Sequence, residues 1–592
     1  MPARLNIVKN GNYQYVRVFQ STRTSDGSPR SKCLKNFGRY TPGDPSSEEL
    51  VAQARKFVEQ FNAQEQSARR KAADQQTEKL LADVALRSAG GSEPTGLLNI
   101  GIAPFKSLWE SLGMHDAMRY LAGKHAQQFD YSLTTFYLAA SRLLNPASKL
   151  SSFKDKGSYL MDFSSISDLN HIYRTLDLLA EDAGSIIRSL NRGINKLINR
   201  SITAAFYDVT TYAFESQDAD ALRNFGMSKD GKPGEVQVVL GLLMDQHGIP
   251  INYELFPGNT SEFGTMLPIV KDFLKANKVK NVVVVADRGL NSGENLLGLQ
   301  ECGCNFVIAQ KLSNCDSATK DKVLDENWDS TVTGDDGEIA LKYKRLEIRK
   351  DVFETKVNAA GKTVKTSKVI DTLNVKWVVT YSAKRRAKDE ADLDRAVEKA
   401  KRAIETGVAG KQSKGFRSLI KFGKSKTDPQ LDLKKIEDKK RWAGYYAICT
   451  NLSDWSDKQI AKTYAQLWRI ENCFRLSKSS LETRPCFVWT ERRIRGHFLT
   501  CYLALTLIKV MEYQVRLGAE AGTMDPIPNT TMIAALRNAA VTPLIAASEK
   551  VYVKVSSSPE FERLLSLYGL QAPQTLETAA NISSKLKMRK IV

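Results

Sequence analysis

Cysteine is sparse in this chain and never paired for chemistry. Eight residues (Cys33, Cys302, Cys304, Cys315, Cys449, Cys473, Cys486 and Cys501) are scattered through 592, with no CxxC. That excludes a disulfide scaffold and a thiolate zinc site, and fits a reducing compartment. Histidine is rarer still: five residues, without HExxH or any other metal spacing. No nucleophile elbow supports Ser-His-Asp catalysis. Gly361-Lys362-Thr363 ends like a phosphate-binding loop, but Lys356 stands where its first glycine is required, which excludes ATP binding there. Long apolar runs are missing too. The opening MPARLNIVKNG has no apolar core of a secretory signal. The most membrane-like stretch, Phe498 to Met511, is short for a span and broken by Thr500, Thr506 and Lys509. A cytoplasmic protein that does not engage a membrane is expected.

Positive charge is plentiful. Lys and Arg number 86 against 66 Asp and Glu, a net +20 with pI near 9.4. An excess of this size favours a polyanionic partner, of which nucleic acid is the commonest. A hydrophobic content of 42% with 26% charged residues reads as globular, and the length exceeds what one core supports, so several domains are expected.

The texture changes along the chain. Residues 1–45 read as a basic β unit, in which Tyr13–Phe19 alternates, a Ser-Asp-Gly-Ser-Pro turn follows and Lys32–Phe37 returns. Residues 46–95 read as a polar helix ending in an Ala-Gly-Gly-Ser linker. A helical region spans 96–200, with DNA binding as its expected role. From 201 to 311 three strands form a meander (204–212, 236–244, 249–256), then helices alternate with strands at 281–287 and 305–310, the pattern of an α/β domain with a mixed sheet. The alternation breaks at 312–440, read as an inserted β-rich and lysine-rich subdomain. Core texture resumes over 441–515, and 516–592 reads as a C-terminal helical tail.

Three carboxylates stand out. Asp287 closes the run Val282–Val285 and precedes Arg288-Gly289; strand carboxyl ends are where α/β sheets build sites. Asp208 lies inside a strand, where aspartate is disfavoured. Glu471 falls in a helical stretch whose spacing puts Tyr464, Leu467, Trp468, Glu471, Arg475 and Lys478 on one side. The upper part of that side is large and apolar, as a core-facing surface is, and a carboxylate there costs several kcal/mol unless a metal ion or an arginine meets it. Singly each has a bland reading: a helix N-cap for Asp287, a hydrogen-bonded strand residue for Asp208, an i+4 pair with Arg475 for Glu471. Together, on a first strand, a later parallel strand and a following helix, they could hold two divalent cations about 4 Å apart for in-line attack on a phosphodiester. Oxygen donors suit Mg²⁺. Beyond the helix, Arg484, Arg492, Arg493, Arg495 and His497 form a basic cluster that reads equally as a phosphate-contacting surface or a solvated helix face.

The segment Tyr464–Lys478 resembles the Y-x2-R-x3-E-x6-K signature of bacterial insertion-sequence transposases of the DDE class. Tyr464, Glu471 and Lys478 match its first, third and fourth positions, while Leu467 occupies the arginine slot, leaving that role to Arg469 or Arg475. Tyr207–Thr211 and Ala286–Leu290 are similar to the family's two aspartate strands, Gly258–Glu262 to a segment between them, and Arg142–Leu150 more weakly to an upstream one. The resemblance implies a ribonuclease-H-like core interrupted by a β-rich insertion, with Asp208, Asp287 and Glu471 binding Mg²⁺ (or Mn²⁺ in its place). It implies DNA contacts by Tyr464, Arg469, Arg475 and Lys478. The expected activity is cleavage at the terminal inverted repeats of a mobile element and transfer of the strands into target DNA, by a homodimer at the nucleoid. A ribonuclease-H-like nuclease without strand transfer, and a non-catalytic DNA-binding protein with a relic site, are the alternatives.

Overall fold

The computed structural model describes residues 3–11, 13–23, 29–88, 96–125, 127–229, 231–232, 234–277, 279, 281–333, 339–357, 363–407, 415–422, 429–546 and 549–592. These form two compact units.

The first unit comprises Met1–Leu98 with Ala540–Ser557 and Pro573–Ile582. Its N-terminal part is an antiparallel sheet of three strands, Ala3–Asn10, Tyr13–Arg23 and Pro29–Tyr40, one more than the alternation over 13–37 suggests. The alternation buries Val16 and Val18 against Val51 and Ala54 of the helix Pro45–Ser88, with Phe37, Phe57 and Phe61 packed around them. Asn62 fastens the helix to the first strand, accepting from the Ala3 N–H at 2.7 Å and donating to its carbonyl at 3.1 Å. Most of the turn at 25–29 and the linker at 89–92 lie outside the described residues. The expected helical tail is only partly helical. Ala540–Ala546, Glu549–Ser556 and Leu576–Thr578 are strands, because Val551-Tyr552-Val553 brings a β-branched and aromatic run with alternating neighbours.

The second unit, Asn99–Ala539 with Ser558–Ala572 and Ser583–Val592, is built on a nine-stranded mixed sheet. The strand Ala204–Ala213 is the middle one of the five strands at one side of that sheet. On one side it pairs antiparallel with Gln237–Asp245, which pairs with Pro250–Pro257; on the other it pairs parallel with Val283–Ala286, itself parallel to Asn305–Gln310. This order, a meander of three followed by two parallel strands on the opposite flank, is that of a ribonuclease-H-like core. Val283–Ala286 is buried throughout, as a strand covered on both faces must be. The helices Met266–Asn277 and Gly293–Glu301 cover one face with Ile269, Val270, Phe273, Leu296 and Leu299.

The sheet does not stop at residue 311. Tyr445–Thr450 pairs with Asn305–Gln310, and Thr363–Tyr381 and Ile339–Val357, nineteen residues each, extend the same sheet outward. The first part of the expected separate subdomain at 312–440 is therefore continuous with the core: Trp377–Tyr381 supplies backbone partners to Tyr445–Cys449 that a detached hairpin would leave unsatisfied. Only the later part, the helix Ala383–Glu405 with the small hairpin Ile420–Phe422 and Pro429–Leu431, has its own cluster, around Leu393, Ala400, Ala403 and Leu419.

Helix Glu491–Glu520 is long and apolar enough to cross a membrane, contrary to the shortness read from 498–511. Its apolar residues are buried against the helices Leu169–Ile198 and Tyr131–Leu144, so it is a core helix. Gly496 permits the crossing, since a Cβ there would lie 2.0 Å from the Leu176 carbonyl oxygen.

Candidate active site

Strand pairing brings two of the three carboxylates together. Tyr207 pairs with Ala286 in parallel register, so the next residue of each strand, Asp208 and Asp287, leaves the sheet at the same level on adjacent strands about 4.8 Å apart. In Ala204–Ala213 every residue is buried except Asp208, which is partly open. Its Oδ1 accepts from the Val209 N–H at 2.7 Å, and burial pushes its carboxyl up to about 6, with the charges of Asp287 and Glu262 adding to the rise and Lys229 opposing it.

Asp287 is exposed and does not cap a helix: the turn Arg288–Leu290 has no side-chain cap bond from it. Its Oδ1 instead accepts from the Tyr464 hydroxyl at 3.3 Å. The Tyr464 ring also meets that of Tyr446 at 5.5 Å, tilted by 46°, and burial together with these neighbours holds its phenol protonated far above the ordinary range, so it remains a donor.

The glutamate segment is not one helix. Asp457–Ala465 ends, the chain tightens through i+3 bonds at Gln466 and Leu467, and Trp468–Ser479 begins. The continuous phase read from the sequence therefore fails. Ile470, Cys473, Phe474, Leu476 and Ser477 are buried; of the side expected to meet the core Leu467 is buried, while Trp468 and Glu471 meet solvent. The helix is pinned from its buried side. Cys473 touches Met244 at 4.0 Å, and Tyr212 donates to Ser477 at 2.8 Å. Tyr212 lies on the same sheet face as Asp208, by the period of two, so the glutamate helix covers the face from which Asp208 projects. Lys478 stands 5.3 Å over the Tyr212 ring. Arg469 turns away and donates to the His247 carbonyl at 3.2 Å, whereas Arg475 is exposed alongside Glu471. The i+4 pairing of Glu471 with Arg475 is not formed among the described residues.

Among the described residues no three His, Cys, Asp or Glu side chains stand close enough together to hold one metal ion. Asp208 and Asp287 are adjacent, and Glu471 is not gathered to them. The donors still fit a hard divalent ion: two carboxylates at one sheet end, one desolvated and lacking a cationic hydrogen-bond donor of its own. Sequence reasoning overlooked Lys229, and placed Glu262 only in a similar segment. Both act on Asp208, from a turn-rich loop and a turn whose composition signals a bend but no role.

Two other basic segments find partners within the protein. Arg142 is buried and donates to the Ala147 and Glu482 carbonyls, and burial lowers Lys149 to about 7. Arg492 pairs with Glu181, Arg493 with Asp177, and Arg495 with Glu491 and Glu254; His497 is buried and neutral, donating to the Thr483 carbonyl. Arg492, Arg493 and Arg495 thus form ion pairs at the surface, and only His497 of the cluster is buried.

The description "Transposase DDE domain" matches a family model over residues 201–507, more than half of the chain. Among solved structures the chain is similar to the piggyBac transposase synaptic complex with hairpin DNA determined by cryo-EM. The identity is 10% over 73% of this chain and 79% of the other, with a TM-score of 0.34. No curated protein matches the chain.

Proposed function

The chain belongs to the DDE transposase family, a family of DNA-acting enzymes that use divalent metal ions; on that premise we propose that it is the transposase of a bacterial insertion sequence. It binds the terminal inverted repeats of its element, cuts the strands at the ends and joins the freed 3′ hydroxyls to target DNA. The observation that carries this reading is the register that sets Asp208 beside Asp287 on parallel strands.

Asp208, Asp287 and Glu471 would hold Mg²⁺, with Mn²⁺ able to substitute. Bound there, the metal would lower the pKa of an attacking oxygen and stabilise the leaving one. The chain's own residues do the rest. Tyr464 donates to Asp287 and restrains its carboxylate. Arg475, exposed beside Glu471, and Lys478, whose ammonium lies over the Tyr212 ring, would meet backbone phosphates, and Arg469 secures the glutamate helix to the turn at His247. Two element ends must be held at once, so a homodimer on DNA, in the cytoplasm at the nucleoid, is the working form.

The test is an assay of purified protein with labelled element ends, a target duplex and Mg²⁺. Cleaved ends joined to target support the transposase reading. Cleavage without joining would identify a ribonuclease-H-like nuclease, and binding without either would identify a relic site.

A further inference from the structure

Lys229 is fastened to the strand that carries Asp208. Its backbone N–H donates to Thr211 Oγ1 at 2.9 Å and its Nζ to the Val209 carbonyl at 2.8 Å. The same ammonium lies 2.9 Å from Glu262 Oε1 and acts as a positive charge on Asp208. Glu262 reaches the other aspartate's side as well. A Cβ on Gly289, two residues beyond Asp287, would stand 3.0 Å from Glu262 Oε2, and a side chain there would push the carboxylate away. The bridge thus runs between the two elements that bear the aspartates.

Stability does not explain the pair. Both ends are more than a third exposed, 37% for Lys229 and 39% for Glu262, and screening leaves such bridges little net value. Its position has a different consequence. An ammonium beside Asp208 favours the ionised carboxylate yet repels an arriving dication, and Glu262 determines how much of that charge is directed elsewhere.

We propose that Lys229 is a built-in counter-cation of the aspartate pair, drawn off Asp208 by Glu262, and that this bridge sets how tightly the pair takes up a divalent ion. The proposal rests on the reading of Asp208 and Asp287 as metal ligands. It gives the two partners opposite effects. Without the Lys229 charge the dication meets no competitor, so binding tightens. Without the Glu262 charge the ammonium's field falls on Asp208 unopposed, so binding weakens. A merely structural bridge would shift both variants the same way.

The experiment is Mn²⁺ binding to the full chain without DNA, read by the electron paramagnetic resonance signal of free Mn²⁺, with melting curves alongside. Lys229→Met should bind Mn²⁺ several-fold tighter, Glu262→Gln several-fold weaker, and Lys229→Arg like the parent, all with unchanged melting. Should Lys229→Met melt early, Lys229→Gln serves in its place. Shifts of the same sign, or none in either variant, would overturn the proposal. Asp208→Asn separates it from its premise. That variant should lose Mn²⁺ binding, and if it does not, the metal-ligand reading of the aspartates has failed rather than the bridge.

Discussion

Asp208 and Asp287 owe their proximity to strand pairing, whereas Glu471 owes its place to a helix held from its opposite side. The parallel register from Ala204 with Val283 to Tyr207 with Ala286 sets the aspartates at one level whatever is bound. The glutamate helix is anchored through Cys473, Ser477 and Arg469, none of which fixes the direction of the Glu471 side chain. If the three carboxylates hold a metal as proposed, two of them are set beforehand by backbone hydrogen bonds and the third has to be gathered.

The strongest way to break this comparison is by catalysis. Asp208→Asn, Asp287→Asn and Glu471→Gln should each lower end cleavage by roughly a thousand-fold or more, since metal-held transition-state charge is worth several kcal/mol. End binding, measured on the same preparations, should persist. Near-parental cleavage in any one variant would remove that residue from the site.

Stability should then separate what activity joins. The folded Asp208 carboxyl keeps its proton up to about pH 6, whereas an unfolded aspartate loses it near 4. Between those values the folded state holds more protons, so without metal its stability should fall as pH rises from 4 through 6. Asp208→Asn should abolish that fall and raise stability above pH 6 by about 1–3 kcal/mol. The exposed Glu471→Gln should change neither. Denaturant titrations at pH 4, 6 and 8 in the presence of chelator decide between these outcomes.

The arginines sharpen the contrast on the helix itself. Arg469→Ala removes a charged donor from the His247 carbonyl and should cost about 1–2 kcal/mol of stability. Arg475→Ala should leave melting unchanged. The smallest expected effect is on DNA: Arg475→Ala or Lys478→Ala should each reduce the salt slope of complex formation by about one phosphate contact. If Arg469→Ala flattened the slope and Arg475→Ala did not, the DNA-facing side of the helix would be the one assigned here to the interior.

Period-two and period-3.6 patterns made the core legible. The expected strands at 204–212, 236–244, 249–256 and 305–310 lie within a residue of those observed, because each is an apolar-rich run bounded by turn residues. The same reasoning overlooked the strand Ala3–Asn10 and the strands after Ala540, where polar residues interrupt the apolar positions. It also drew a boundary at 312 that the sheet ignores, since strand order across a long connection leaves no local trace.

What the sequence determined by itself was the set of carboxylates and the elements that bear them, because a strand-interior aspartate and a strand-end aspartate are visible as departures from local preference. What only the tertiary structure decided was their company. The register that joins Asp208 to Asp287 depends on pairing across seventy-odd residues. The break at Gln466 that rotates Trp468 and Glu471 outward depends on where Ile470 and Cys473 find their packing. Lys229 and Glu262 acquire a role only because two turns fold over the same sheet end. Local chemistry selects residues, but long-range backbone pairing and side-chain packing choose their neighbours, and charges act only on neighbours.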